Sequence, residues 1–573
     1  MFTIQRRELT SSTIDSSLPT ILDRIYRGRN VSDSSDLDTR ATGLHHYQQL
    51  LGIEQAVAIL VDAIQHNEKV MIIGDFDADG ATSTALSLLA LSQMGMQHLD
   101  YLVPNRFDFG YGLSPGIVEL AHERGAKVIM TVDNGIACFD GVSRAKALGI
   151  KVIITDHHLP AESLPSADAI VNPNQPGCEF PSKNLAGVGV AFYVMLACRA
   201  RLIDVGWFES RHIPTPNLAN LLDIVAIGTV ADVVPLDKNN RILVHQGLQR
   251  IRSGKCRPGI QALLDVANRD GHRLTSTDLG FVIGPRLNAA GRLEDMSMGI
   301  ECLLTDSPSV AREIATELDS LNHQRKAIEA DMKAQAQQIV EQLVFENTQA
   351  PGGLVVYRED FHQGVIGIVA GRIKEQYHRP TIAFAQDDNG DLKGSARSIP
   401  GIHIRDLLEE INTRNPGVIA KFGGHAMAAG LTLKLASLDV FQAQFEMLAQ
   451  VHLDRLGEHN VIYTDGELSC DELSLPTARL LRTAGPFGQG FEPPQFDGEF
   501  AVVSQRIVGQ NHLKLVLRTG DNEEVDAIMF NIDSAQWPDN SVKSLVAVYQ
   551  LDVNVFRGQE SVQLLISHIE KNA

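Results

Sequence analysis

The organisation of this chain is predicted from one stretch, Val70-Met71-Ile72-Ile73-Gly74-Asp75-Phe76-Asp77-Ala78-Asp79-Gly80. An apolar run of the length of a buried strand leads into Asp75, Asp77 and Asp79, and residues 81–94 then predict a helix. Carboxylates this close repel one another, and a bound cation would offset the repulsion. A plain acidic turn is the alternative. Open α/β sheets bind ligands where a strand ends and a helix follows, so the two interpretations are about equal on this stretch alone.

The composition is that of a globular protein with several domains. The chain has 573 residues, of which 44% are hydrophobic and 21% charged, and this length predicts about three or four domains. No apolar run has the length of a membrane span and the first residues lack a signal peptide, so we expect a cytoplasmic protein without membrane association. Six cysteines without Cys-x-x-Cys spacing indicate reduced thiols and argue against structural zinc.

The formal net charge of −20 restricts the kinds of nucleic-acid binding that are compatible with this chain. A non-specific coat protein neutralises phosphates with an excess of basic residues, so that class is disfavoured. An enzyme with a local basic groove, or one whose bound metal ions supply positive charge, is compatible with the charge.

Four apolar segments with the length of strands recur through residues 69–155, and helical patterns separate them. This alternation predicts an α/β fold with a doubly wound parallel sheet. Parallel strands end at the same edge of a sheet, so the polar residues that follow them should share one crevice. Those residues are the three aspartates after the first strand, Asn105-Arg106 after the second, Asp133-Asn134-Gly135 after the third and Asp156-His157-His158 after the fourth.

A further acid, Asp232, follows an apolar stretch at residues 221–230 and precedes Val233 and Val234. A carboxylate among valines is costly unless it is paired, so we predict that it joins the same cluster. A structural helix N-cap is the alternative.

The combined cluster predicts a metal centre. Its oxygen-rich donors with imidazoles suit Mn²⁺ or Mg²⁺ better than zinc. Seven donor groups exceed the needs of one ion, so we predict two ions and, as the reaction, metal-assisted phosphoester hydrolysis. The donor residues are Asp75, Asp77, Asp79, Asp133, His157, His158 and Asp232.

The rest of the chain predicts a second lobe and a β-rich end. Residues 1–48 are polar and indicate a solvated surface segment, with a phosphate-binding arm as the alternative. Residues 309–346 carry an apolar stripe that is typical of a long helix connecting two lobes. Residues 353–385 again alternate strands and a helix. After residue 461, short alternating strands predict a small barrel or sandwich, which is either an oligonucleotide-binding barrel or a structural cap.

Two glycine-rich stretches in the second lobe, residues 393–398 and 422–430, predict polar loops. Glycine lets backbone amides approach a ligand closely, and Ser395 with Arg397 could bind a phosphate through charge-assisted hydrogen bonds. Each stretch alone is weak evidence, since turns commonly contain glycine and serine. Together they predict a surface that faces an anion or a nucleic acid.

The motifs resemble those of the DHH phosphoesterase superfamily. Four of them occur in the family's order, and Gly423-Gly424-His425 resembles its associated DHHA1 domain. With the long helix and the β-rich end, the arrangement over residues 48–573 is similar to the family's single-strand-specific 5′→3′ exonucleases. The four motifs are Asp75-x-Asp77-x-Asp79-Gly80, Val132-Asp133-Asn134-Gly135, Asp156-His157-His158 and Ala231-Asp232.

The resemblance implies an organisation in consecutive parts and an activity. The activity is metal-dependent degradation of single-stranded DNA to 5′-mononucleotides, by attack of a hydroxide shared by two ions, in DNA repair and recombination. The implied partners are single-stranded DNA, a single-strand-binding protein and a DNA helicase, and we expect a monomer. The parts are an N-terminal segment at residues 1–48, a DHH catalytic domain with a doubly wound parallel sheet at 49–308, a long connecting helix at 309–350, a smaller α/β DHHA1 domain at 351–460 and an OB-like nucleic-acid-binding domain at 461–573.

The resemblance also implies roles for individual residues. The family often has a histidine four residues before Asp77, where this chain has Ile73, so Asp75 or water would complete the first ion. Asp133 would bridge the two ions, and His158 would contact the scissile phosphate. The metal ligands would be Asp77, Asp79, Asp133, His157 and Asp232, with Asp75 as the open position, and the catalytic set His158, Asp133 and Asp79. The 5′-phosphate pocket would contain Asn105, Arg106, Ser395 and Arg397, and the strand contacts would be Arg286, Asn288, Arg292 and His425, with a surface ion pair as the alternative for Arg292.

Two other functions compete with the exonuclease. A DHH phosphatase of small substrates, such as pyrophosphate, short oligonucleotides or cyclic dinucleotides, would not need the β-rich domain after residue 461. A strand-binding module with a degenerate metal site is disfavoured because Asp77, Asp79, Asp133 and His157 are all present.

Overall fold

The structure is a computed structural model that describes residues 3–10, 13–104, 112–347, 351–387, 389–456, 461–509, 511–532 and 537–571. It divides into two compact units, each with its own sheet and core. Unit 1 comprises Met1–Leu287, Met296–Thr316 and Asn460–Ala573, and unit 2 comprises Asn288–Asp295 and Glu317–His459. Across the described residues, no helix combines the length and the apolar character that crossing a membrane requires.

A five-stranded parallel sheet lies at the centre of the first part of unit 1. Every residue of Val70–Ile73 and Val128–Val132 is buried, as expected for apolar strands whose sheet is covered by helices on both faces. The predicted doubly wound parallel sheet is therefore confirmed. In sheet order the strands are Leu99–Leu102, Val70–Ile73, Val128–Val132, Lys151–Thr155 and Ala169–Val171.

The helix that follows the strand Val70–Ile73 begins earlier than the sequence predicts. It spans Ala78–Gln93 rather than residues 81–94, because Asp77 occupies the N-cap position. Asp79 thus lies on the helix. A π-helical turn at Leu279–Ile283 precedes the helix Gly284–Leu293. The other helices of this part are Ile53–His66, Pro115–Glu123, Phe139–Ala147, Gly187–Asp204, Trp207–Arg211, Leu222–Ala231, Lys238–Arg252, Pro258–Val266, Ser276–Asp278 and Ser297–Leu304.

The N-terminal segment is not the solvated surface stretch that its composition predicts. Strand Thr3–Arg6 pairs in parallel with Val461–Thr464, and helix Thr20–Arg27 buries one apolar face. Arg29 Nη1 lies 2.7 Å from Asp465 Oδ1, and both side chains are only 1% exposed. The prediction was wrong because the partners of this segment lie at the other end of the chain, where no local pattern reveals them.

The long helix predicted over residues 309–346 is present at Pro308–Asn347. In unit 2 a five-stranded sheet follows it, with parallel and antiparallel pairs. In sheet order its strands are Lys421–Gly424, Ala428–Lys434, Asp391–Arg397, Thr381–Gln386 and Leu354–Tyr357, and the accompanying helices are Ile366–Tyr377, Ile404–Arg414 and Leu438–Leu456.

Both glycine-rich stretches of unit 2 were wrongly predicted as loops. Residues 393–397 belong to the strand Asp391–Arg397, and residues 422–430 form a hairpin with a short turn. A Cβ on Gly394 would lie 2.4 Å from Phe384 Cε1 and 2.6 Å from Leu431 Cδ2. Glycine is present at position 394 because neighbouring strands leave no room for a side chain, so this glycine reflects close packing rather than a loop.

The C-terminal strands close into a barrel, which settles the choice between a barrel and a sandwich. Leu513, Leu515 and Leu517 alternate into its interior and are fully buried. Closure pairs the strand edges that an open sheet would leave exposed. The barrel strands are Phe496–Val508, His512–Arg518, Glu524–Met529, Ser544–Phe556 and Gln559–Lys571, and helix Leu475–Thr483 packs beside them.

Candidate metal centre

Asp75 and Asp77 follow the strand Val70–Ile73 at the carboxyl edge of the parallel sheet. Asp75 is buried. Asp77 Oδ1 accepts hydrogen bonds from the backbone N–H groups of Asp79 and Gly80, each at 3.0 Å. A Cβ on Gly80 would lie 2.5 Å from the carbonyl oxygen of Asp75, so this tight turn requires glycine. The acidic turn and the cation site are thus compatible, since one Asp77 oxygen caps the helix.

Asp79 lies on the first turn of that helix and contacts a second helix. Its carboxylate accepts hydrogen bonds from Gly187 N–H at 2.6 Å and Val188 N–H at 3.0 Å. Burial and the charge of Asp77 raise the pKa of Asp79 to about 7, against the lowering effect of these bonds. A Cβ on Gly187 would lie 2.6 Å from Asp133 Cβ. Glycine at this helix N-terminus therefore lets both acids approach it.

Asp133 follows the neighbouring strand Val128–Val132 and takes the left-handed backbone conformation, with φ 61°. Its Oδ1 lies 3.2 Å from His157 Nε2. Burial and the charges of Asp79 and Asp77 raise the pKa of Asp133 well above its ordinary value. A bound cation would reverse the cost of placing these charges together.

The segment Asp156-His157-His158 follows the strand Lys151–Thr155. Hydrogen bonds to the side chain of Asp156 hold its conformation. Asp156 accepts hydrogen bonds from Ile136 N–H and from the backbone N–H groups of His157 and His158. His158 Nδ1 lies 2.7 Å from Asp156 Oδ1. Burial lowers the pKa of His158, but the bond to Asp156 and the surrounding carboxylates outweigh it and raise that pKa to about 9.

Asp156 supports the two histidines in a way that the sequence did not reveal. It contacts the ring of His158 and the backbone N–H of His157. The side chains of Asn172 and Asn174 donate to the carbonyl oxygens of His158 and His157, at 2.9 and 2.6 Å. Asn172 and Asn174 follow the fifth strand of the sheet, Ala169–Val171, at the same edge as the other clusters. Applying the strand-end rule to this strand would have found them.

Asp232 reaches the cluster from a helix rather than a strand. It follows Leu222–Ala231 at the helix C-terminus, so the N-cap alternative is wrong. Its Oδ2 lies 3.4 Å from His157 Nε2. Burial and the charges of Asp79 and Asp77 raise the pKa of Asp232 well above its ordinary value.

The structure brings all seven predicted donor residues together. They form three overlapping groups, and within each group one donor atom per residue lies within 4.8 Å of the others. Buried carboxylates with raised pKa values and two imidazoles form an oxygen-rich donor set that fits Mn²⁺ or Mg²⁺. The groups are Asp133, His157 and His158; Asp79, His157 and Asp232; and Asp75, Asp77 and Asp133.

The predicted strand contacts are distributed over both units. Asn105 and Arg106 lie outside the described residues. In unit 1, Arg286 is buried and its Nη1 donates to Val282 O at 2.7 Å. In unit 2, Asn288 lies one helical turn before Arg292, whose Nη1 donates to Gly364 O at 3.0 Å.

Ser395 and Arg397 form a cradle over a helix N-terminus in unit 2. Arg397 Nη1 donates to Ser395 Oγ at 3.0 Å. A Cβ on Gly367, in the first turn of Ile366–Tyr377, would lie 2.8 Å from Arg397 Nη2 and 3.0 Å from Ser395 Oγ. Burial lowers the pKa of Arg397. His425 is placed in the hairpin turn, where its N–H donates to Ala428 O at 2.8 Å.

Family models match three separate parts of the chain. They describe the DHH family N-terminal domain over residues 69–229, the DHHA1 domain over residues 351–450 and the RecJ OB domain over residues 464–568. The first includes the parallel sheet with most of the metal centre, the second the Ser395–Arg397 cradle, and the third the barrel.

Similarity to curated proteins extends over the whole chain. The single-stranded-DNA-specific exonuclease RecJ of Escherichia coli strain K12 is 53% identical over 568 residues, covering 99% of this chain and 98% of that protein. The chain belongs to the RecJ family. RecJ of Haemophilus influenzae is 54% identical over 570 residues, or 99% of each chain. RecJ of Bacillus subtilis strain 168 is 34% identical over 95% of this chain and 66% of that protein.

Solved RecJ structures share this fold. Crystalline RecJ from Thermus thermophilus in complex with Mn²⁺ matches with a TM-score of 0.78 at 27% identity, covering 96% of this chain and 76% of that chain. The same protein in complex with Mg²⁺ matches with a TM-score of 0.72 at 26% identity, covering 96% and 75%. Both ions belong to the class that the donor set of this chain fits.

Proposed function

We propose that this chain is a metal-dependent exonuclease that degrades single-stranded DNA from its 5′ end to 5′-mononucleotides. The observation that carries the proposal is the cluster of buried carboxylates and histidines at the carboxyl edge of the parallel sheet. The chain belongs to the RecJ family, and its relatives from Escherichia coli and Haemophilus influenzae are named single-stranded-DNA-specific exonuclease, which supports single-stranded DNA as the substrate class. DNA repair and recombination are the setting in which such an activity is used.

Two ions would be held by Asp77, Asp79, Asp133, His157 and Asp232, with Asp75 as a further donor. Asp75 is buried, and one of its carboxylate oxygens lies within 4.8 Å of donor atoms of Asp77 and Asp133. This supports Asp75 as the ligand that replaces the histidine often found in the family at the position of Ile73. When bound, such ions lower the pKa of water and neutralise charge on the reacting phosphate. Among the carboxylates of the three donor groups, Asp133 belongs to two groups, and its two oxygens can bind one ion each, which supports its role as the bridge.

His158 is proposed to contact the scissile phosphate. Asp156 Oδ1 lies 2.7 Å from its Nδ1 and orients the ring. The side-chain amide of Asn172 donates to the backbone carbonyl oxygen of His158 at 2.9 Å, which fixes the backbone at His158. An imidazole fixed in this way can donate a hydrogen bond to a phosphate oxygen without first losing rotamer freedom.

The cradle of unit 2 is proposed to bind the 5′ phosphate and to set the polarity. Arg397 is partly buried, and within the described residues it has no ion pair with a carboxylate. Beside it, the N-terminus of helix Ile366–Tyr377 presents backbone N–H groups, which favour anions. Ser395 adds a hydroxyl donor to this cradle. Arg286 of unit 1, and Asn288, Arg292 and His425 of unit 2, are each proposed to contact the DNA strand.

The barrel favours a polymeric substrate over the small-substrate alternatives. A phosphatase of pyrophosphate or cyclic dinucleotides does not need a closed barrel of the OB type, whereas barrels of this type bind oligonucleotides. A binding module without activity is disfavoured, because such a module has no need to bury Asp79 and Asp133 beside each other.

The test follows both ends of one strand. Single-stranded DNA labelled at the 5′ or the 3′ end is incubated with Mn²⁺, with Mg²⁺ or with EDTA. We expect mononucleotide release from the 5′ end only, and only with metal. Asp133→Asn should abolish it, while Asp140→Asn, at an exposed carboxylate of the same domain, should not. Release from the 3′ end, or activity in EDTA, would overturn the proposal.

The partners and the setting are also proposals. A single-strand-binding protein and a DNA helicase would supply unwound strand, and the chain would act as a monomer. All six cysteines are free thiols, which supports a reducing compartment and hence the cytoplasm. Size-exclusion chromatography with light scattering tests the monomer directly.

A further inference from the structure

Large apolar side chains are unusually exposed beside the metal centre. Among the described residues, the four most exposed of them are Phe281 at 80%, Phe556 at 67%, Val233 at 63% and Leu159 at 62%. Phe556 lies at the end of a barrel strand. The other three, Leu159, Val233 and Phe281, are here called the apolar rim.

Two members of the apolar rim directly follow metal-centre residues in the chain. Leu159 follows His158, and Val233 follows Asp232. The two segments meet at the centre, because His157 Nε2 lies 3.4 Å from Asp232 Oδ2. Val233 also has φ 61°, a conformation that is a strained outlier for a β-branched residue. Such strain persists where the surrounding structure enforces it, and it is concentrated at functional sites.

Phe281 lies in the π-helical turn Leu279–Ile283. A Cβ on Gly280 would lie 3.2 Å from Val230 Cγ1, and one on Gly284 would lie 3.2 Å from Ala231 Cβ. The turn therefore packs against the last turn of the helix that ends at Asp232. π-helical turns are rare and frequently occur at functional sites. Here the turn carries the exposed ring of Phe281 on a segment that packs against the helix ending at Asp232.

We propose that the apolar rim binds the nucleobases of the DNA strand whose phosphate lies at the metal centre, with Phe281 stacking on one base. This inference rests on the proposed function and specifies the substrate of the same site. A nucleic-acid strand presents phosphates and apolar base faces at fixed spacing, so carboxylate-bound ions with adjacent exposed apolar side chains complement it. Pyrophosphate has no apolar face to occupy such a rim. Stacking accepts every base, which suits an enzyme that must process any sequence.

The test compares Phe281→Ala, Phe281→Trp and the matched control Ile203→Ala. Ile203 is also exposed, but it lies at the far end of helix Gly187–Asp204, on the order of 24 Å from the N-terminus that contacts Asp79. We expect Phe281→Ala to raise KM for single-stranded DNA about tenfold, the loss that removal of one base–aromatic stack produces. Phe281→Trp should keep KM within about twofold of wild type because it retains a ring, and Ile203→Ala should not change it.

Abasic substrates identify the contact. The substrates form a series in which one abasic nucleotide is placed at each successive position from the 5′ end. For wild type, KM should rise about tenfold when the abasic nucleotide is at one of these positions. Phe281→Ala should show no further loss at that position, since the contact is already absent. The proposed base contact would be refuted if the effects of Phe281→Ala and of the abasic nucleotide on KM were additive. It would also be refuted if Phe281→Ala left KM for intact strands unchanged. If wild type degrades no strand at all, the proposed function fails instead, so the two failures are distinguishable.

Discussion

Replacing Asp79 by alanine tests the metal centre and the helix packed against it together. Its carboxylate accepts hydrogen bonds from Gly187 N–H and Val188 N–H, at 2.6 and 3.0 Å. A buried N–H group left without an acceptor costs about 1–3 kcal/mol. Losing both bonds, less the relief of repulsion with Asp77, predicts that metal-free protein is destabilised by about 2–4 kcal/mol. Hydrolysis should be lost because a proposed ligand of the ions is gone.

Three measurements separate these effects. Unfolding is followed with EDTA and with Mn²⁺ at about 100 times its Kd, where wild type should gain about 2.7 kcal/mol for each ion bound and Asp79→Ala clearly less in total. Strand binding in EDTA should persist, since the barrel and Arg397 are unchanged. Asp140→Ala, at an exposed carboxylate, is the control and should behave as wild type. The reasoning is refuted if Asp79→Ala keeps hydrolysis or gains the full stabilisation from Mn²⁺.

Other substitutions address end recognition, chain anchoring and ring orientation. Arg397→Met should reduce the preference for a 5′-phosphorylated over a 5′-hydroxyl strand by about tenfold or more, because a charge-assisted hydrogen bond is lost; an unchanged preference in a competition assay would exclude Arg397 from the pocket. Arg29→Met should destabilise unit 1 by about 3–5 kcal/mol, because it leaves Asp465 as a buried charge without its cation; an unaltered melting temperature and proteolysis pattern would argue against this anchor. Asp156→Asn should lower kcat by about 10- to 100-fold through misorientation of His158 while strand affinity is kept; a wild-type kcat would show that the ring needs no such support.

Local sequence patterns sufficed for the parallel sheet and for the position of the metal centre. Apolar strands followed by polar residues are recognisable within short windows, and parallel strands all end at one edge. That single geometric rule predicts that Asp75, Asp133 and His157 share one crevice, as the structure shows. Short alternating strands also predicted a small barrel or sandwich, and the structure decides for the closed barrel.

Segments whose environment lies far away in the chain were predicted wrongly. The polar composition of residues 1–48 conceals the buried pair of Arg29 with Asp465, because an ion pair between distant residues leaves no periodic pattern. Gly394 and its polar neighbours suggested a loop, whereas position 394 is glycine because Phe384 and Leu431 from adjacent strands fill the space of a side chain. In both cases the deciding contact is tertiary.

The sequence alone therefore establishes which chemical groups meet at the strand ends, since residue type and strand direction are local properties. The folded chain establishes how those groups are held. Asp79 lies on a helix and contacts a second one, distant in sequence. Asp232 arrives from a helix C-terminus, and the exposed ring of Phe281 is placed by a π-helical turn. These orientations depend on packing between elements distant in sequence, and only the tertiary structure supplies that packing.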